Sequence, residues 1–153
     1  MARMTDFDPA MQRHLTIKEM PRFESTPWTV AKPASKSRFA IISTAGIQRR
    51  GEPPFAVGSA DFRLLPGDLS AADLVMSHIS TNFDRTGFQE DHNVVFPIDR
   101  LRELEAEGVI GSVAAMHYAV MGATPPEKME ANARNLAGML KKDQVDAVLL
   151  VPV

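Results

Sequence analysis

Apolar residues recur along this chain in two periods, and the switches between them mark its elements. Phe39-Ala40-Ile41-Ile42-Ser43-Thr44 is a short, mostly apolar run closed by Ala45-Gly46, which reads as a strand. Phe62-Arg63-Leu64-Leu65, ending at Pro66-Gly67, predicts a second strand, and Leu74-Val75-Met76-Ser77-His78 a third. From Phe96-Pro97 the spacing becomes helical. Ile98, Leu101 and Leu104 form one stripe, Asp99 sits in the electropositive first turn, and Gly108 marks the stop. Val113 to Tyr118 reads again as a strand. Thr124-Pro125-Pro126-Glu127 fits a capping box, opening a helix with Met129, Ala133, Leu136 and Leu140 at helical spacing and Lys141 and Lys142 at its negative end. The last run, Ala147 to Val151, carries no polar side chain between Asp146 and Pro152, so it predicts a strand buried on both faces and central in a parallel sheet.

Strand, crossover helix and strand thus follow one another twice, which is the pattern of an α/β fold. The expected architecture is a three-layer sandwich with a mostly parallel sheet, Rossmann-like or flavodoxin-like, over residues 38–153. Residues 1–37 are different: Pro9, Pro21, Pro27 and Pro33 forbid a long helix or central strand, so this stretch reads as an extended arm. Asp8-Pro9 opens a short helix carrying Met11 and Leu15, and Phe23 and Trp28 are expected to pin the arm to the body.

Composition narrows the function classes. With 153 residues, 44% hydrophobic and 24% charged, and a net charge of -2, the chain is an ordinary one-domain globular protein with no basic field for nucleic acid. No apolar run approaches the roughly 20 residues of a membrane span, and the first residues lack a signal peptide's apolar core, so a cytoplasmic protein without membrane attachment is expected. There is no cysteine among these residues, which removes disulfides, thiolate metal sites and a cysteine nucleophile from within them. His14, His78, His92 and His117 show no metal-ligand spacing, so no metal is expected. Walker, Gly-x-Gly-x-x-Gly and Gly-x-Ser-x-Gly loops are missing.

In open α/β sheets ligands sit beyond the carboxyl ends of the strands, so the polar residues there are the candidates. Thr44-Ala45-Gly46 leaves the first strand. His78 opens the densest polar cluster, which runs to Gly87; Asp84 six residues on can hold the imidazole as a proton donor or acceptor, or the whole cluster can simply satisfy loop backbone. His117 and Tyr118 form a second polar pair at a strand end, against the alternative of a buried, hydrogen-bonded histidine. Arg49 and Arg50 are read as solvated.

Several short motifs in one order carry a resemblance: Pro27-Trp28-Thr29, Ile42-Ser43-Thr44-Ala45-Gly46-Ile47, Glu52-Pro53-Pro54-Phe55, Asp61-Phe62-Arg63, His78-Ile79-Ser80-Thr81-Asn82-Phe83-Asp84, Asn93-Val94-Val95-Phe96-Pro97, Leu101-Arg102-Glu103-Leu104, Gly108-Val109-Ile110-Gly111-Ser112, His117-Tyr118 with Met121-Gly122, and Val145 through Val153. From Pro27 to Val153 the chain resembles the selenoprotein B family of glycine, sarcosine, betaine and D-proline reductases.

The resemblance implies an oxidoreductase component that reductively cleaves a carbon–nitrogen bond in an amino acid or its N-methyl derivative: a selenolate or thiolate attacks, and amine leaves. It implies other reductase components as partners. In that family a selenocysteine or cysteine follows the segment matched by Val151-Pro152-Val153. A selenol ionises more readily than a thiol, whose free pKa is about 8.5, so it would be nucleophilic at neutral pH. The chain stops one residue short of that position, which suggests a selenocysteine codon read as a stop, a fold lacking its C-terminal part, and no activity in the chain as given. No bound cofactor is expected otherwise. Such an interruption would uncover Val148, Leu149 and Leu150 and favour a homo-oligomer. By motif position His78, His117 and Tyr118 are the candidate catalytic residues, offering a proton to the leaving amine, and Thr44, Gly46 and Asp84 the candidate substrate-binding residues. The alternatives are a non-catalytic binding module or partner subunit with a flavodoxin-like fold, and a nucleotide- or flavin-binding domain suggested by fold alone and weakened by the missing phosphate loop.

Overall fold

A computed structural model describes residues 3–17, 24–26, 28–80 and 85–153. Its elements in chain order are α1 (Pro9–Thr16), β1 (Arg38–Ser43), β2 (Ile47–Arg49), β3 (Phe62–Pro66), β4 (Leu74–Met76), α2 (Thr86–Glu90), α3 (Ile98–Ala106), β5 (Ser112–Val113), β6 (Met116–Val120), α4 (Pro126–Lys142) and β7 (Ala147–Val151). The fold is α/β with a mixed, mostly parallel sheet.

β1 is the axis of that sheet. One edge pairs in parallel with β7, from Phe39 opposite Ala147 to Ser43 opposite Val151. The other edge pairs in parallel with β5 at Arg38 and Phe39 and with β6 at Ile42 and Ser43. β3 closes the far side, antiparallel to β6. β2 and β4 form a separate antiparallel pair. Consecutive residues of β1 face opposite layers. Ile41 joins the core beneath α3, with Leu65, Phe96, Ile98, Leu101 and Ala119, whereas Ile42 lines the space under α4 with Phe62, Val120 and Leu136.

The strand expected at Val113 to Tyr118 is broken in two. Partner numbers run 74 ahead of β1 at Phe39 and 76 ahead at Ile42, so two extra residues stand between β5 and β6. A bulge of this kind interrupts the ladder and leaves backbone groups to be satisfied otherwise. Ile41 N–H is one of them, and His117 Nδ1 accepts it at 2.9 Å.

β7 is also corrected. Among the described residues it lies at the edge of the sheet, and it is not buried on both faces: Val148 is 36% exposed, Leu149 38% and Leu150 67%. A continuous apolar run shows that both faces prefer apolar neighbours; it does not say how many strands flank it.

The predicted helices follow their local signals with one exception, while α2 begins in the polar stretch that reads as a loop, and Arg85 at its N-cap supplies no side-chain cap. Asn93 Oδ1 accepts the Asp99 N–H at 3.1 Å at the start of α3, and Gly108 beyond its end has φ +73. At α4, Pro126 opens the helix, but no side chain caps it. The Thr124 hydroxyl donates instead to the Ser59 carbonyl at 2.6 Å, tying the helix start to a distant loop. In the arm, Asp8 Oδ1 caps α1 through Ala10 N–H and Met11 N–H as expected. Trp28 does not pin the arm, being 88% exposed, and Phe23 lies outside the described residues. Among the described residues no helix is long and apolar enough to cross a membrane, and no cluster of His, Asp and Glu could hold a metal.

Candidate functional site

Because β1, β6 and β7 are mutually parallel, their carboxyl ends open on one side of the sheet. The chain leaves β1 there through Thr44-Ala45-Gly46. Gly46 adopts φ +61, a left-handed conformation that glycine tolerates best. A Cβ at Gly46 would also stand 3.0 Å from Met121 Cε and 3.2 Å from His78 Cα, so the bare glycine lets three segments meet. Its N–H donates to the Val120 carbonyl and its carbonyl accepts from Ser77 N–H, each at 3.0 Å. This stitching carries the loop after β4 to the sheet end and brings His78 beside Gly46.

His78 is 6% exposed. Its Nδ1 accepts from Ser80 N–H at 3.1 Å, so the neutral ring carries its proton on Nε2. Burial first, and the Arg85 guanidinium second, hold its pKa below the ordinary histidine value, which keeps the ring neutral at physiological pH. Arg85 also donates to the carbonyls of His78 and Ser80 at 2.5 and 3.2 Å, clamping the first turn of this loop. Asp84, the expected partner of His78, lies outside the described residues.

Thr44 is engaged by the end of β7. Its hydroxyl accepts from Val153 N–H at 2.8 Å, and its carbonyl accepts from Gly122 N–H at 2.9 Å. Thus Thr44, Gly46 and His78 gather at the carboxyl ends.

His117 and Tyr118 do not join them. β6 continues to Val120, and Ala45 still pairs with Met121 beyond it, so both residues stand in mid-strand, not at an end. They point to opposite faces. His117 meets Phe96 edge-on at 5.6 Å on the α3 side, and Tyr118 meets Phe62 at 6.0 Å on the other. Burial, reinforced by the Arg102 guanidinium, lowers the His117 pKa to about 4, so this ring is neutral and works as the acceptor for Ile41. Burial and then the Asp143 carboxylate push the Tyr118 phenol up, keeping it protonated.

Sequence reasoning assigned no role to three residues that build this end. Gly122 packs its backbone against Thr44, Ser77 donates to Gln48 Oε1 at 2.7 Å and accepts Phe55 N–H at 3.0 Å, and Arg85 holds the His78 loop. Only Gly122 had a local signal, a glycine just past a strand. Concavities among the described residues lie elsewhere: about 680 Å³ by Lys32 and Arg38 at the amino ends of the strands, about 230 Å³ of apolar space under α4, and about 740 Å³ around Gly67 and Arg102.

Comparison with known proteins bears on what this end can do. The family model for glycine/sarcosine/betaine reductase selenoprotein B matches residues 10–153. The chain is 35% identical over 127 residues to D-proline reductase subunit gamma of Acetoanaerobium sticklandii, covering 80% of this chain and 52% of that protein. It is 36% identical over 145 residues to glycine reductase complex component B subunit gamma of Symbiobacterium thermophilum, covering 90% and 33%. Similarity extends to sarcosine reductase complex component B subunit beta of Peptoclostridium acidaminophilum, 31% identical over 137 residues, covering 86% and 31%. The chain spans about half the length of the first of these relatives and about a third of the others. No solved structure matches.

Proposed function

The chain belongs to the glycine/sarcosine/betaine reductase selenoprotein B family, and from that premise we propose that residues 38–153 are the part of a reductase-complex subunit that presents its nucleophile at the carboxyl end of β7. The reaction is reductive cleavage of the carbon–nitrogen bond of glycine, sarcosine, betaine or D-proline, in company with other reductase components. These residues contain no cysteine. A selenocysteine or cysteine adjoining Val153 would supply the chalcogenolate that attacks as the amine leaves.

The observation that carries this reading is the hold of Thr44 on Val153, at 2.8 Å, which directs the outgoing chain to the strand ends where α/β folds place their chemistry. Gly46 leaves room for close approach, and His78 is the one of the three candidates that stands beside it. As a neutral ring with its proton on Nε2 it can orient a substrate group by a hydrogen bond, while the proton taken up by the leaving amine comes from elsewhere. His117 and Tyr118 support the sheet behind the site.

The test uses the complete reductase polypeptide that carries these residues, with its partner components and a dithiol donor. Glycine, sarcosine and betaine should be assayed for amine release, and D-proline for the ring-opened amino acid. Turnover of at least one, abolished when the residue next to Val153 becomes alanine, is the expected result. Turnover of none, or turnover indifferent to that change, would leave a non-catalytic partner subunit as the better description.

A further inference from the structure

We propose that Thr44 is a positioning residue, whose hydroxyl, backed by Gly122, fixes the direction in which the chain leaves β7 and so aims the nucleophile adjoining Val153; this role rests on the function proposed above.

The register of the ladder makes the case. Thr44 N–H donates to the Val151 carbonyl at 3.0 Å, so the next bond of a parallel pair would run from Val153 N–H to the Thr44 carbonyl. That carbonyl is taken, accepting from Gly122 N–H at 2.9 Å on the β6 side. The Thr44 hydroxyl substitutes for it: Oγ1 accepts Val153 N–H at 2.8 Å, and its own proton has the Val153 carbonyl as a longer partner at 3.4 Å. One side chain therefore holds the donor and the acceptor of a single residue. Pro152, with its ring-fixed φ, stiffens the approach to it. β-branching at Thr44 restricts χ1, so the hydroxyl is held in place.

Gly122 is the second half of the device. A Cβ there would fall 2.8 Å from the Thr44 carbonyl oxygen, 2.9 Å from its Cβ and 3.0 Å from Oγ1. Any side chain at Gly122 would push Thr44 off Val153. Three strand ends thus converge on one hydroxyl: the residue after β1 supplies it, the segment after β7 is held by it, and Gly122, two residues past β6, makes room for it. Misplacing a reacting atom by about 1 Å can cost a hundredfold in rate, so a clamp one residue away acts on the chemical step.

Thr44→Val keeps the shape and loses both bonds; Thr44→Ser keeps the hydroxyl. In the 153-residue chain, the steady-state heteronuclear NOE and amide exchange of Val153 are read by NMR, with the ladder amides of β1 and β7 as the control for folding. Thr44→Val should release Val153 to tail-like values while those ladder amides stay protected, Gly122→Ala should do the same, and Thr44→Ser should retain the hold. In the complete reductase, Thr44→Val should lower kcat by about tenfold to a hundredfold with KM little changed, and Thr44→Ser should restore most of it. A Val153 signal unmoved by Thr44→Val overturns the clamp. A freed Val153 with unaltered kcat overturns its part in aiming the nucleophile and leaves the reductase reading standing. An inactive parent enzyme brings down that reading and the aiming role together, with the NMR result still deciding whether the clamp exists.

Discussion

Acidification from pH 7 toward 4.5 should destabilise this fold through His117. The ring is fully buried and its pKa falls from 6.5 unfolded to about 4 folded, chiefly through desolvation. Between those values the unfolded chain binds the proton and the folded chain does not, so stability falls as pH falls. The slope approaches about 1.4 kcal/mol per pH unit, for a loss of about 2 kcal/mol by pH 4.5 and a ceiling of roughly 3 kcal/mol below the folded pKa. His78, also depressed, contributes in the same direction. Asp73, Asp91, Asp99 and Asp146 are lowered from 3.8, so the stability they confer is present above that value and lost as pH drops below it. The discriminating variant is His117→Asn, whose side-chain oxygen can replace Nδ1 as the acceptor for Ile41 without titrating. Urea unfolding followed by far-UV circular dichroism suits the measurement, because the sole tryptophan is 88% exposed and senses little of the core. The variant will be less stable at pH 7 because the ring's packing against Phe96 is lost, but its stability should decline more gently from pH 7 to 4.5. Parallel declines in the two proteins would refute the buried, neutral state assigned to His117.

Gly111→Ala should cost about 1–3 kcal/mol in urea unfolding, since the new Cβ would stand 2.8 Å from backbone atoms of Lys36 and Ser37 that cannot swing aside. Thr124→Val, which removes the 2.6 Å bond to the Ser59 carbonyl, should lower stability by about 1–2 kcal/mol. Leu150→Lys places a charge where the side chain is already 67% exposed; stability should change by no more than about 0.5 kcal/mol, and sedimentation velocity of the parent and the variant tests whether the apolar edge of β7 pairs copies of the chain, unequal association being the expected result.

Local chemistry was enough for much of the architecture. α3 follows from Ile98, Leu101 and Leu104 with Asp99 and Gly108 at its ends, α4 from apolar residues three and four apart, and β1 and β7 from short runs bounded by turn residues, because capping, periodicity and steric exclusion act over a few residues. The family was legible too, since many weak motifs kept their order. What the sequence could not settle is who neighbours whom. An apolar run reads alike in a central strand and at an edge, so only the ladder shows that β7 has one partner among the described residues and half-bare faces. Thr124 carries a capping signature, yet Ser59 captures its hydroxyl from 65 residues away. His117 could be read either as a strand-end acid or as a buried, hydrogen-bonded histidine, and a two-residue bulge, visible only in the pairing register, made it the second, the acceptor for Ile41. At the candidate site, Thr44, Gly46 and His78 were nameable one by one, but their placement depends on Gly122, Val153 and Ser77, which reach them across folds of the chain. Hydrogen bonds and close contacts between distant residues are created by tertiary packing, and no local pattern encodes which of several eligible partners will be at hand.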